Sequence, residues 1–151
     1  IGYQKMNQAR KNKYEEAISL GYKLVSYISS KANIAKNVKI GDNCFILENN
    51  NIQPFSVIEN DVFLWSGNHI GHDSKIGSHS FLASHVVVSG CVEIGNQCFF
   101  GVNSTLVNNI KIGDQTFVGA GSLIQKDTDS NGVYVINGTK KSKVPSHRIN
   151  F

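Results

Sequence analysis

Four of the five histidines, His69, His72, His79 and His85, fall within one short window of the 151-residue chain. Imidazole titrates near neutrality, so it can take up and release a proton in one turnover, or bind a metal ion. His72 has the most informative neighbour, because Asp73 follows it directly. A carboxylate beside an imidazole can orient the ring and stabilise its protonated form. The run Asn68-His69-Ile70-Gly71-His72-Asp73-Ser74 thus holds a candidate general base with its support. Trp65, the single tryptophan, is a candidate to stack on a planar or sugar-like ligand.

What must position these residues is a repeat. From Ile28 onward every sixth residue is apolar, through Ile46, Ile58, Ile70, Leu82, Val88 and Phe100 to Ile124. The phase holds over seventeen hexads, residues 28–129, without insertion or deletion. Four residues after each comes a mostly small or β-branched column, which includes Cys44, Ser56, Asn68, Ser74, Val92 and Cys98. A period of six fits neither a helix nor a simple alternating strand. It predicts a short strand plus a turn, with one large and one small side chain filling a narrow interior. Glycine often follows the aliphatic position (Gly41, Gly71, Gly77, Gly95, Gly101, Gly113 and Gly119), where its conformational freedom predicts turns. No histidine occupies an inward column, so all four are expected outside or at corners.

Tyr3 to Leu20 reads as a helix with Gly21 as its stop, and Lys23 to Ile28 as a strand leading into the repeat. Beyond Asp129 a turn at Ser130-Asn131-Gly132 precedes a strand, Val133 to Ile136, and a basic, solvated tail with Lys140, Lys141, Lys143 and Arg148. Net charge is +4 and the isoelectric point about 9.0. No block of like charges marks a nucleic-acid tail, and no apolar run nears the roughly 18 residues of a membrane span. A start at Ile rather than Met predicts a chain that begins inside a longer product.

The hexads of residues 28–129 resemble those of the hexapeptide-repeat left-handed parallel β-helix acyltransferases. In that family three hexads close one triangular coil, so residues eighteen apart stack. The resemblance implies a mainly β fold, a triangular prism of nearly six coils with a short N-terminal helix and strand. Residues 1–27, through I-G-Y-Q-K-M-N and A-I-S-L-G-Y-K-L-V-S-Y-I-S, resemble the end of the small nucleotide-sugar-binding βαβ domain that precedes the prism in nucleotide-sugar acetyltransferases. Residues 28–129 would be the acyltransferase domain and 130–151 the C-terminal strand and basic tail. Acetyl-CoA as cosubstrate, no metal, and a homotrimer with active sites between subunits are also implied. Cys44 and Cys98 then stack three coils, or about 14 Å, apart, too far for a disulfide. Unpaired thiols predict a reducing, cytoplasmic setting.

The histidine run is similar to the histidine–acid signature of sialic-acid O-acetyltransferases and bacillosamine-type N-acetyltransferases. Carried over, His72 is the general base, Asp73 its support, and Gly90, one coil above, the amide donor to the thioester oxyanion. Gly101, Val102, Gly119 and Ala120 would offer backbone groups to the pantetheine arm. Phe81 takes the place near the thioester where bacillosamine-type enzymes often have a second histidine. Lys140 is the candidate for the CoA phosphates, although Asn137-Gly138-Thr139-Lys140 departs from the family's glycine-asparagine-proline-alanine ending. Leu64-Trp65-Ser66-Gly67-Asn68-His69 and Ser84-His85 look like the subgroup acting on 4-amino-4,6-dideoxy sugars such as viosamine. That assigns Trp65, Asn68, His69 and His85 to substrate. The implied activity is N-acetylation of a nucleotide-linked amino sugar of this kind. O-acetylation of a sialic acid or related glycan, and a non-enzymatic trimerising scaffold, are the alternatives. The γ-type carbonic anhydrases share the fold, but their zinc histidines, two of them five residues apart, do not match gaps of 3, 7 and 6 here.

Overall fold

Seventeen two-residue strands, β1 (Tyr27–Ile28) to β17 (Leu123–Ile124), recur every six residues, and β18 (Val133–Tyr134) follows after a wider gap. The computed structural model describes residues 4–141 and 143–148. Its strands form three parallel sheets of seven, six and five, wound as a left-handed β-helix of about six turns. Each rung pairs with the residue eighteen positions on, for example Ile46 with Leu64 and His69 with Val87. In β1 to β17 the second residue, aliphatic except for Phe100, points inward. Leu64, Ile70, Ile76, Leu82, Val88 and Leu106 are fully buried, while Ile28, at the open end, is 42% exposed. The hexad phase gives out sooner than expected. After Ile124 the chain closes with Ile112 bridging Thr128 and Phe117 pairing Val133, steps of sixteen rather than eighteen.

The small column does more than fill space, because its polar members satisfy corner backbone. Asn68 Oδ1 accepts from Val86 N–H at 2.8 Å, while its Nδ2 donates to the Trp65 carbonyl at 2.7 Å. Ser74 Oγ donates to the Ser89 carbonyl and accepts from Val92 N–H. Buried groups of this kind must be paired to be tolerated.

The turns do not use glycine as expected. From Asn43 to Gly121 the left-handed backbone at each corner falls three residues after the aliphatic position. There it is carried by Asn43, Asn49, Asp73, His79, His85, Cys91 and Asn103, among others, and by glycine at Gly67 and Gly121. Asn, Asp and His tolerate this region better than most residues. The glycines directly after the aliphatic residue serve close approach instead. A Cβ on Gly71 would lie 2.5 Å from Gly90 N, and one on Gly101 would lie 2.5 Å from Ala120 N.

On the first six strands of the seven-stranded sheet the outward residues are aromatic: Tyr27, Phe45, Phe63, Phe81, Phe99 and Phe117 stack with ring centroids 4.8–5.6 Å apart. Helix α1 (Gln8–Ser19) lies against the prism beside this sheet. It starts at Gln8 because Lys5, Met6 and Asn7 are all left-handed, and the expected start at Tyr3 lies outside the described residues. At its other end Gly21 and Tyr22 N–H close on the Ile18 and Ala17 carbonyls, the Schellman pattern that Gly21 foretells. Of the expected Lys23–Ile28 strand only Tyr27–Ile28 pairs. The preceding stretch is tied by Ser26 Oγ, which donates to the Gly41 carbonyl and accepts from Cys44 N–H.

No residue of α1 is fully buried, so polar contacts hold the helix. Arg10 Nε donates to Asp61 Oδ2 at 3.2 Å, and its Nη2 reaches the carbonyls of Asp61, His79 and Ser80. Asp61 is 1% exposed and also accepts from Asn43 and pairs with His79. Tyr14 donates to Asp42 at 2.7 Å and meets the His79 ring edge-on. Burial, with Asp42 beside it, pushes the Tyr14 hydroxyl up to about 12. Asn7 caps nothing and instead donates to the Cys98 carbonyl. No helix among the described residues is long and apolar enough to cross a membrane. Removing one partner of a buried ion pair leaves the other uncompensated. Asp61→Ala should therefore cost about 3 kcal/mol in urea denaturation and speed amide exchange across residues 8–19.

Candidate functional site

His72 stands at the corner that follows the six-stranded sheet's rung β8 (His69–Ile70), with its side chain 57% exposed. Three contacts fix it. Its backbone N–H donates to Gln53 Oε1 from the coil below, and its carbonyl accepts from Cys91 N–H in the coil above at 2.8 Å. Its Nδ1 lies 2.8 Å from Asp73 Oδ2. In the tautomer that donates from Nδ1 to this carboxylate, Nε2 carries the lone pair.

The ring rests on Gly90. A Cβ at Gly90 would lie 2.7 Å from His72 Nε2 and 2.9 Å from Cε1, so only glycine lets the imidazole lie there. Gly90 N–H has no hydrogen-bond acceptor among the described residues, whereas its carbonyl accepts from Asn109 N–H. The corner therefore places the imidazole beside a free amide donor.

The neighbouring corner, before the same sheet, carries an apolar groove of about 480 Å³. Trp65, Phe81, Ala83, Ser84, Phe99, Gly101, Val102, Phe117 and Ala120 line it. Trp65 stacks on Phe63 at 5.5 Å and stays 45% exposed. Ala120 N–H and Val102 N–H are without acceptors among the described residues, so the groove offers donors on an apolar floor. Phe81, Gly101, Val102 and Ala120, expected along one cofactor arm, are thus gathered in one place. Trp65, expected on the substrate side, shares it.

Other expected residues are placed differently. Asn68 is 1% exposed and spends its side chain on the Trp65 carbonyl and Val86 N–H, so it shapes the corner and cannot reach a substrate. Gly119 N–H is committed to the Tyr134 carbonyl, and Val135 covers the Cβ position, so Gly119 packs the last coil and offers no donor. Gly101 likewise commits its N–H to Val118 and lines the groove only by lacking a side chain. His69 lies outward on the face between the two corners, paired with Asn51 and Val87. His85, exposed, lies over Gly67, where a Cβ would meet its ring at 2.6 Å. Lys140 is exposed on the C-terminal segment. His79 does not face solvent as the hexad grid predicts, because α1 covers it. The repeat gives no sign of Gln53, which stands nineteen residues before His72, one off the eighteen-residue step.

Comparison with known proteins agrees with this architecture. The family described as bacterial transferase hexapeptide (six repeats) matches residues 55–90, the stretch from just below His72 to Gly90. No curated protein matches the sequence. A structure of PerB from Caulobacter crescentus in complex with CoA and GDP-perosamine is similar, with TM-score 0.84 and 25% identity over 85% of this chain and 62% of that one. The acetyltransferase domain of PglB from Neisseria gonorrhoeae, in complex with acetyl coenzyme A, aligns with TM-score 0.84 and 23% identity over 89% of this chain and 65% of that one. A mutant of AntD, an N-acyltransferase from Bacillus cereus, in complex with dTDP and coenzyme A, aligns at 0.69 and 19% over 89% and 90%. The chain therefore spans less than two thirds of PerB and of the PglB domain.

The two glycines in this stack should respond differently to the same change. In Gly90→Ala the new methyl meets only the far end of the His72 side chain, which can swing away. Unfolding temperature should stay near wild type while any His72-dependent turnover falls about 10²-fold or more. In Gly71→Ala the methyl meets backbone, and stability should fall by about 2 kcal/mol. Thermal unfolding of both variants, with turnover measured in parallel, checks the pair.

Proposed function

We propose that the chain is an acyltransferase that moves the acetyl group of acetyl-CoA to an amino group on a nucleotide-linked sugar, a 4-amino-4,6-dideoxyhexose of the viosamine type. The observation that carries this is the His72–Asp73 pair seated on Gly90, one prism corner from an apolar groove with free amide donors. PerB, similar in fold and 25% identical, is seen with both CoA and a nucleotide-linked amino sugar, which supports the same pairing of ligands here.

His72 Nε2 takes the proton from the acceptor nitrogen as that nitrogen attacks the thioester carbonyl. Asp73 holds the ring and stabilises the imidazolium that forms. The carbonyl oxygen, now an oxyanion, accepts the Gly90 N–H. Collapse breaks the carbon–sulfur bond, and the departing CoA thiolate recovers the proton from His72. The groove takes the pantetheine arm against Phe81, Val102 and Ala120, and Lys140 meets the CoA phosphates. Trp65, His69 and His85 serve the sugar and its nucleotide.

Within one prism, the base and the groove lie at opposite edges of one face, six residues or roughly 20 Å apart. The pantetheine thioester held in that groove does not span this distance sideways. Three prisms packed side by side bring the groove edge of one against the His72 edge of the next, so we read the working form as a homotrimer. The exposed Trp65 and Val102 on the groove edge, with Val87 on the face between the edges, supply apolar surface for such packing.

The decisive experiment is release of CoA thiol from acetyl-CoA against a panel of nucleotide-linked amino sugars and sialic acids. His72→Ala should lower turnover by about 10²–10⁴-fold with little change in folding, and near-wild-type turnover would remove His72 from the chemistry. CoA should raise the unfolding temperature of wild type and His72→Ala alike. Ala120→Trp, which fills the groove, should abolish that shift. Absence of any shift in wild type would leave a scaffold.

A further inference from the structure

We propose that the His72 corner is also a binding site for a thiophilic divalent cation, zinc by preference, held by His72, Asp73 and Cys91. A ring nitrogen of His72, a carboxylate oxygen of Asp73 and Cys91 Sγ lie within 4.8 Å of one another. Ligand atoms around a tetrahedral zinc, at roughly 2.0–2.3 Å from it, stand about 3.3–3.7 Å apart. Shifts of about 1 Å in three exposed side chains close that gap. The backbone beneath them is already set. Asp73 and Cys91 occupy the same left-handed corner position one coil apart, at φ 56 and 58. Cys91 N–H donates to the carbonyl of His72 itself, which fixes the Cys91 backbone over that residue.

The donor set decides the ion. One nitrogen, one oxygen and one sulfur suit zinc, whereas magnesium and calcium take oxygen ligands. Cys44 and Cys98 do not compete, because both are buried and directed at carbonyls within the prism. His72 and Asp73 side chains are 57% and 53% exposed, so the ion enters from solvent and water takes the fourth position. Occupancy ties up the imidazole and its carboxylate together, which turns the corner off reversibly. That consequence rests on the acetyl-transfer reading, while the binding does not.

Cobalt(II) titration of the purified protein tests the site. One equivalent should bind with a near-ultraviolet thiolate-to-cobalt band and tetrahedral visible bands, both erased by zinc. Cys91→Ser, and Cys91→Asn chosen because Asn suits a left-handed corner, should lose the thiolate band and bind cobalt at least tenfold more weakly. Both should keep acetyl transfer, and zinc that inhibits the wild type should leave them active. No thiolate band in the wild type, or a band surviving in both variants, overturns the site. Equal zinc inhibition of wild type and variants overturns the off-switch. The spectra decide the site even for a protein that transfers no acetyl group.

Discussion

The eighteen-residue step governs this molecule. Parallel rungs stack at about 4.8 Å, and that spacing must accommodate both the backbone of each corner and whatever projects from it. Where two corners touch, there is no room for a Cβ, and glycine is obligatory: Gly71 lies under Gly90 and Gly101 under Ala120. The same closeness makes the candidate site. The His72 ring lies on Gly90 because the coil above passes one rung away with nothing projecting downward. Its carbonyl and amide are held from above and below by Cys91 and Gln53, so the fold itself orients the residue.

A prism this narrow cannot stabilise itself on aliphatic rungs alone, and much of its specificity is polar. Asn68 and Ser74 satisfy the backbone of neighbouring coils from inside. Cys98 works in the same column as a weak donor to the Gly113 carbonyl, and burial raises its thiol to about 11, which keeps it inert. Helix α1 is attached by the same means from outside. Arg10, desolvated and with its pKa lowered by burial, is matched by Asp61 and three carbonyls. This attachment is why His79, on an outward position, lies under cover while His72 and His85 remain exposed.

The repeat was the easiest feature to read, because a column such as Ile58, Leu64, Ile70 and Ile76 admits one explanation over a hundred residues. The pairing of His72 with Asp73 followed from adjacency, and the contact of Gly90 with His72 from arithmetic on the coil length. Three things were hidden. Asn68 has the type of a ligand-binding residue, but its column faces inward, and periodicity outranks residue type at that position. The glycines looked like turn formers, yet the turn angle is borne two residues later by Asp73, His79 and Asn103, because close stacking rather than φ is what excludes a side chain. Arg10 and Asp61 are fifty-one residues apart with no shared period, so nothing local marks them as partners.

The single tryptophan has a consequence of another kind. Trp65 stands beside the middle of the aromatic ladder, ring on ring with Phe63 and near Phe81, and forms one wall of the groove while half open to water. No other indole contributes background. The tryptophan fluorescence of this protein is therefore the fluorescence of its groove, and the molecule carries a built-in optical gauge of whatever lies there.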